Sequence, residues 1–244
     1  VTTIGMYAGL FYIPLFLQSI RGIGAMETGL LMMPGALVTA VMMPITGKLF
    51  DKVGARALVI AGLFMLAFLT LNFANLNLAT ATSTITMWIV FRGMVMAFAM
   101  MPAQTASLID IPTDLISRAS SISNIIRSVA GSFGLAILTS ILTARQAFHG
   151  ARLSWTLTLS NPVVADTVSK IAGLAGGGTK GRGLAAAYLF GQVSKTSFVN
   201  AIDDVFIVAG MFTFVALVPA LFLKSKKAQT AAAGAHRTTA MAAE

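Results

Sequence analysis

Apolar residues gather into six stretches, each near the length of about 20 helical residues that crosses a hydrocarbon layer of about 30 Å. They cover 1–20, 28–46, 57–76, 84–101, 120–142 and 205–223. Between them lie short polar connections, except over 143–199, which runs to roughly sixty residues and is too long for its charge to set orientation. The pattern predicts a polytopic, all-α membrane protein. Inside the long connection, "TARQAFHGARLSWTL" spaces Ala147, Leu153, Trp155 and Leu157 among polar groups, which predicts a short helix lying at the membrane interface. "AGLAGGGTKGRG" (172–183) reads as a flexible linker, and "GLAAAYLFGQVSKTSFVNA" as a second amphipathic helix leading into the sixth span. The tail over 224–244 is basic, then small and polar, and is expected to be disordered.

Composition strengthens the membrane reading and removes other classes. The 244 residues are 57% hydrophobic and 10% charged, with a mean hydropathy of +0.84. A soluble domain carries about 25% charged residues. With no cysteine, disulfides, thiol catalysis and thiolate metal sites are excluded. His149 and His236 lie far apart and suggest no metal cluster, and no catalytic constellation or cofactor motif is visible, so an enzyme is not expected. A net charge of +9 could point to nucleic acid, but the basic residues flank spans and have no basic helix or aromatic platform of their own. Lys180 follows a glycine run, yet G-x-x-x-x-G-K-(S/T) is absent and no strand precedes it, which argues against a nucleotide. The first stretch lacks the basic start of a cleavable signal and begins with Val1, as in an internal fragment or a valine translation of an alternative start codon.

Charge placement orients the spans. Lys48, Lys52 and Arg56 lie between the second and third, Arg118 before the fifth, and Lys224, Lys226 and Lys227 after the sixth. The opposite short loops hold only Arg21. By the positive-inside rule the first set is cytoplasmic, together with the N-terminal end and the C-terminal tail. The connection 143–199 is then extracytoplasmic, despite Arg145, Arg152, Lys170, Lys180, Arg182 and Lys195.

The cytoplasmic stretch "GKLFDKVGAR" (47–56) concentrates charge around Gly47 and Gly54, which suit a sharp turn between antiparallel spans. Asp51 there can accept backbone N–H bonds at a helix end or pair with Lys52 and Arg56, or the stretch is simply a solvated loop. Gly47, Asp51, Lys52, Gly54 and Arg56 resemble the G-x-x-x-D-(R/K)-x-G-(R/K)-(R/K) loop of the major facilitator superfamily; Ala55 stands where a basic residue is usual. "YIPLFLQSIRGIGAMETGLLMMPGAL" (12–37), "FRGMVMAFAMMP" (91–102) and "RASSISNIIRSVAGSFGLAI" (118–137) add to it. So do "RQAFHGARL" (145–153), "NP" (161–162) and "NAIDDVF" (200–206). In their order and spacing they resemble the C-terminal half of the fourteen-helix drug:proton antiporters of the QacA/EmrB type.

That resemblance implies a six-transmembrane-helix bundle, one half of a pseudo-symmetric transporter of the bacterial plasma (inner) membrane, working by alternating access. Its parts are five spans over 1–142, an extracytoplasmic loop over 143–199, a last span over 200–223 and the tail 224–244. The implied function is export of amphipathic drugs or toxic compounds, driven by proton entry. The implied partners are an N-terminal transporter half, the lipid bilayer, the substrate and protons; a periplasmic adaptor protein stays open. The alternative is a self-sufficient six-helix membrane protein, either a homodimeric carrier or a non-transporting scaffold.

Ionisable groups within spans are costly and mark functional positions. Arg92 lies eight residues into the fourth span, about 12 Å deep at about 1.5 Å per residue. With Gly93 it resembles the arginine-glycine signature of the equivalent helix in the first half, where the arginine tunes a proton-carrying carboxylate. Alternatively it snorkels to the interface beside Trp88. Arg127 in the fifth span, with Asn124 one turn before it, either lines the pathway or snorkels to the cytoplasmic headgroups. Neither has an acidic partner inside a span: Asp110 and Asp114 fall in the cytoplasmic linker, and Asp203 and Asp204 at the outer start of the sixth span. Gly5 and Gly9 form a G-x-x-x-G pair, and Ser128, Gly131, Ser132 and Ala136 make a strip of small residues suited either to sliding against the other half or to ordinary packing. Pro34, Pro44 and Pro102 are expected to kink or end their helices. The many Met and Phe either line an adaptable cavity or face lipid.

Overall fold

A computed structural model describes residues 2–76, 80–108, 111–156, 162–174 and 176–221. Described residues are helical or in turns, with no strand. The first helices follow the apolar stretches: α1 (Thr2–Ser19), α2 (Ala25–Val53), α3 (Ala55–Asn72) with a 3-10 turn at Phe73–Asn75, and α4 (Thr82–Leu108). They continue into α5 (Ile116–Thr156), α6 (Pro162–Leu174), α7 (Gly178–Val215) and the short α8 (Leu217–Leu221). Five of these, α2 to α5 and α7 with α8, are long and apolar enough to cross a membrane. The 18-residue α1 is shorter but fully integrated. Its Tyr12, Ile13, Phe16 and Leu17 are almost wholly buried, and it packs among α2, α3, α5 and α7.

The main apolar core joins that face of α1 to Ile202, Val205 and Phe206 of α7, Leu138 of α5 and Ile85 of α4. Phe73 at the end of α3 stacks on Phe206 at 5.5 Å and meets Trp88 edge-on at 5.4 Å. A smaller core packs Val59, Leu63 and Leu66 of α3 on Val95 and Ala99 of α4 and on Ala216 and Ala220. The spans are unequally covered. The apolar windows of α2 and α5 are 11% and 22% buried, against 39–44% for the other three candidate spans, so these two are the least covered within the chain.

Helix ends depart from the sequence expectation. Pro34 and Pro44 lie inside the 29-residue α2 and Pro102 inside α4, so none of them ends its helix. The fifth stretch loses its apolar character at 142, but α5 continues to Thr156 over 41 residues, about 60 Å at about 1.5 Å per residue. The segment beginning at 143 is therefore the far end of α5 and not a separate interfacial helix. Likewise 183–201 is the first part of the unbroken α7, not a second amphipathic helix. Between them stands α6, opened by Pro162 at a position where a missing N–H is harmless, and not anticipated from the sequence. Gly176, Gly177 and Gly178 have φ of +86°, +70° and +66°, so the glycine run makes a tight reversal before α7, not a slack linker. Asp110, Asn161, Leu157 and the whole tail 224–244 lie outside the described residues.

Candidate functional site

Arg92 does not snorkel. It is buried on α4, with 7% exposure, and its Nη2 donates to the Met6 carbonyl at 2.7 Å and the Gly5 carbonyl at 3.3 Å. The guanidinium lies against Gly9 so closely that a Cβ there would collide with it. The G-x-x-x-G pair of α1 therefore serves two neighbours: Gly9 admits Arg92, and Gly5 admits Thr213 of α7. Among the described residues no carboxylate pairs with Arg92; its partners are neutral main-chain oxygens. A buried cation thus ties α4 to α1 through main-chain acceptors.

Beside it, Gly93 places α4 on α2. Thr39 donates to the Gly35 carbonyl at 2.8 Å and is within 2.9 Å of the Gly93 carbonyl. A Cβ on Gly93 would strike the Gly35 carbonyl and come 2.9 Å from Thr39 Oγ1. Gly93→Ala is therefore expected to destabilise the purified protein by about 1–3 kcal/mol, the usual cost of overpacking. Gly29 on α2 has no atom within 4 Å of its would-be Cβ. Gly29→Ala is expected to be neutral or stabilising by up to about 1 kcal/mol. Thermal unfolding in detergent compares the two, and a Gly93→Ala protein as stable as Gly29→Ala would refute the contact.

The stretch 47–56 is mostly helix. Gly47, Asp51 and Lys52 all belong to α2, whose last turn ends at Val53, and Arg56 opens α3. Gly54 alone makes the reversal, at φ +89°, and its N–H caps α2 by donating to the Phe50 carbonyl at 2.8 Å. Gly47 lies within α2, so it serves close packing, with Met101 Cε 3.2 Å from its would-be Cβ. Asp51 and Lys52 are both exposed in the last turn of α2.

On α5 the strip divides. Gly131 is buried against the Tyr7 ring of α1, and Gly134, one turn on, against Ile4. Tyr12 and Thr139 share a hydrogen bond of 3.1 Å between the same helices. Arg127 shares this face by its i, i+4, i+7 spacing to Gly131 and Gly134, is partly exposed, and makes no bond among the described residues. Asn124, Ser128, Ser132 and Ala136, four residues apart, form a separate line that is exposed along its length. Ser132 Oγ satisfies itself on the Ser128 carbonyl at 3.1 Å. Large apolar side chains flank that line, among them Ile125, Val129 and Phe133 at 63%, 49% and 67% exposure.

Where α5 and α7 leave the apolar core they are tied by charge. Asp204 Oδ2 accepts from His149 Nε2 at 2.8 Å and is 3.5 Å from Arg145 Nε, with Arg145 lying over the Phe148 ring. Asp203 Oδ1 is buried and finds no hydrogen-bond partner among the described residues. The sequence alone does not bring this cluster together, because Asp204 is 55 residues from His149 and lies on another helix. On a continued helix the i, i+4 spacing of Arg145 and His149 puts both on one face.

The sequence profile described as Major Facilitator Superfamily matches residues 1–135. The MFS-type transporter YhcA of Bacillus subtilis is 31% identical over 229 residues, covering 92% of this chain and 43% of YhcA. The multidrug export protein EmrB of Escherichia coli K12 is 27% identical over 208 residues, 84% of this chain and 40% of EmrB. The lincomycin resistance protein LmrB of Listeria innocua is 36% identical over 140 residues, 56% of this chain and 29% of LmrB. The chain spans less than half the length of each of these relatives.

Proposed function

This chain belongs to the major facilitator superfamily, a family of transporters and not enzymes, and we propose that it forms one half of a proton-coupled exporter of amphipathic compounds. It is an all-α, multi-pass membrane bundle of the kind that makes half of such a transporter. The observation that carries the half-transporter reading is the exposed line Asn124–Ser128–Ser132–Ala136 on α5. Lipid tails offer nothing to an asparagine or to a strip of small residues, whereas a second helix packs closely on both. The scant burial of α2 supports the same reading. A partner bundle covering these faces encloses a cavity with α1 and α4, and rocking of the two halves opens it to either side. Asp51, exposed beside the turn at Gly54, is assigned to the gate between the halves. The names of two relatives, a multidrug export protein and a lincomycin resistance protein, support the substrate class. The proposed setting is the bacterial inner membrane.

Proton coupling is tested in inverted vesicles carrying both halves and energised by respiration. Adding an amphipathic cation such as ethidium is expected to dissipate the pH gradient. Uptake of the cation that persists undiminished after nigericin collapses that gradient would overturn the coupling.

In the proposed orientation the turn at Gly54 and the tail are cytoplasmic, and the extension formed by α5, α6 and α7 is outside. The sequence has no cysteine, so Lys52→Cys and Lys180→Cys each introduce a unique thiol. A membrane-impermeant maleimide applied to intact cells is expected to label position 180 and spare 52. The reverse pattern would invert the topology.

A further inference from the structure

Beyond the apolar core, α5, α6 and α7 enclose a cleft of about 1360 Å³ that the transport reading does not use. Its volume exceeds the roughly 300–1,000 Å³ of ordinary small-molecule pockets, which leaves room for an elongated guest. Val164 and Val168 of α6 face Leu189 and Val193 of α7 across it, and Gly150 of α5 keeps the third wall low. Among the described residues Arg182 is the one charged residue of the lining, and no carboxylate joins it. Arg182 forms no ion pair or hydrogen bond among the described residues, whereas nearby acids are engaged elsewhere: Asp166 with Lys170 at 2.6 Å, and Asp204 with His149.

We propose that this cleft binds a free, single-chain amphipathic anion, its tail between α6 and α7 and its carboxylate or sulfonate on Arg182. Val164, Val168, Leu189, Phe190 and Val193 desolvate the tail beside a lining otherwise of small and uncharged polar residues, and the Arg182 guanidinium offers a fork of N–H donors to a planar or tetrahedral anion. A cation of the same shape would meet only like charge. Position separates a free amphiphile from a bilayer lipid. Arg182 precedes Val199, a residue of the apolar core, by 17 residues of the unbroken α7. At about 1.5 Å per residue that is about 25 Å along the helix, so with the membrane edge taken at the end of the apolar core Arg182 lies beyond the reach of a bilayer headgroup.

The test uses the 244-residue chain in phosphatidylcholine nanodiscs, with 11-(dansylamino)undecanoate as a fluorescent probe and the corresponding dansyl alkylamine as its cationic match. Saturable binding of the undecanoate is expected, with the amine bound at least tenfold more weakly. Arg182→Gln is expected to weaken the undecanoate roughly tenfold, the worth of about one charge-assisted hydrogen bond. Ala186→Trp, which fills the cleft from its α7 wall, is expected to abolish saturable binding. Arg152→Gln removes a basic residue outside the lining and is expected to change nothing. Circular dichroism of each variant confirms that the helices are intact. Equal affinity for the two probes, or equal loss in Arg152→Gln and Arg182→Gln, overturns the proposal. So does displacement of the probe by phosphatidylglycerol placed in the nanodisc, which would make the cleft a lipid site. Binding is read without transport, so failure here leaves the exporter reading standing.

Discussion

Replacing Arg92 by methionine is expected to cut drug efflux by the complete transporter at least tenfold while leaving membrane insertion and folding intact. The two effects separate because of what Arg92 touches. The carbonyls of Gly5 and Met6 lie in the first turns of α1, where they also accept the helix's own N–H groups four residues on. Losing the guanidinium therefore orphans neither. Methionine removes a charge that costs about 2.5–3.5 kcal/mol to hold at mid-depth, so the variant folds at least as well. What disappears is a charge-assisted tie between α4 and α1 worth about 1.5–3 kcal/mol. If that tie forms in only one state of the alternating cycle, its loss shifts the balance of states by about tenfold or more. Arg92→Lys, with one compact ammonium in place of a fork, is expected to fall between the two. Efflux and cell-surface abundance are read together. Full efflux by Arg92→Met at normal abundance would make Arg92 a packing feature only.

The helical membrane architecture was legible because hydropathy reports directly on which backbone segments meet lipid. Helix ends were less so. Hydropathy falls after 142, but nothing in "TARQAFHGARLSWT" breaks a helix, so α5 runs on to Thr156. The same holds in reverse for α7, whose polar first half begins at the glycine turn and not at the membrane. Gly54 was recognisable as a reversal because no other residue type accepts its φ readily, whereas Gly47, which looks the same in sequence, turned out to be a contact on Met101. The burial of Arg92 could not be read from its own neighbourhood: Trp88 four residues before it suggested an interface. Its acceptors are 86 and 87 residues away in sequence, on α1. Gly9, the residue that makes room for the guanidinium, was visible only as half of a packing motif.

The second large effect follows from the uncovered faces of α2 and α5. One bundle supplies one wall of a cavity and has nothing to rock against. The line from Asn124 to Ala136 would then face lipid or a makeshift second copy, so the chain by itself is expected to insert and yet export nothing. Expressing residues 1–244 alone, and again with an N-terminal half supplied on a second chain, tests the central claim most directly through ethidium efflux from the same cells. Efflux is predicted only in the two-chain sample, with the lone bundle at the level of empty vector. Efflux by the lone bundle at the two-chain rate would contradict a half-transporter and establish a homodimeric carrier in its place.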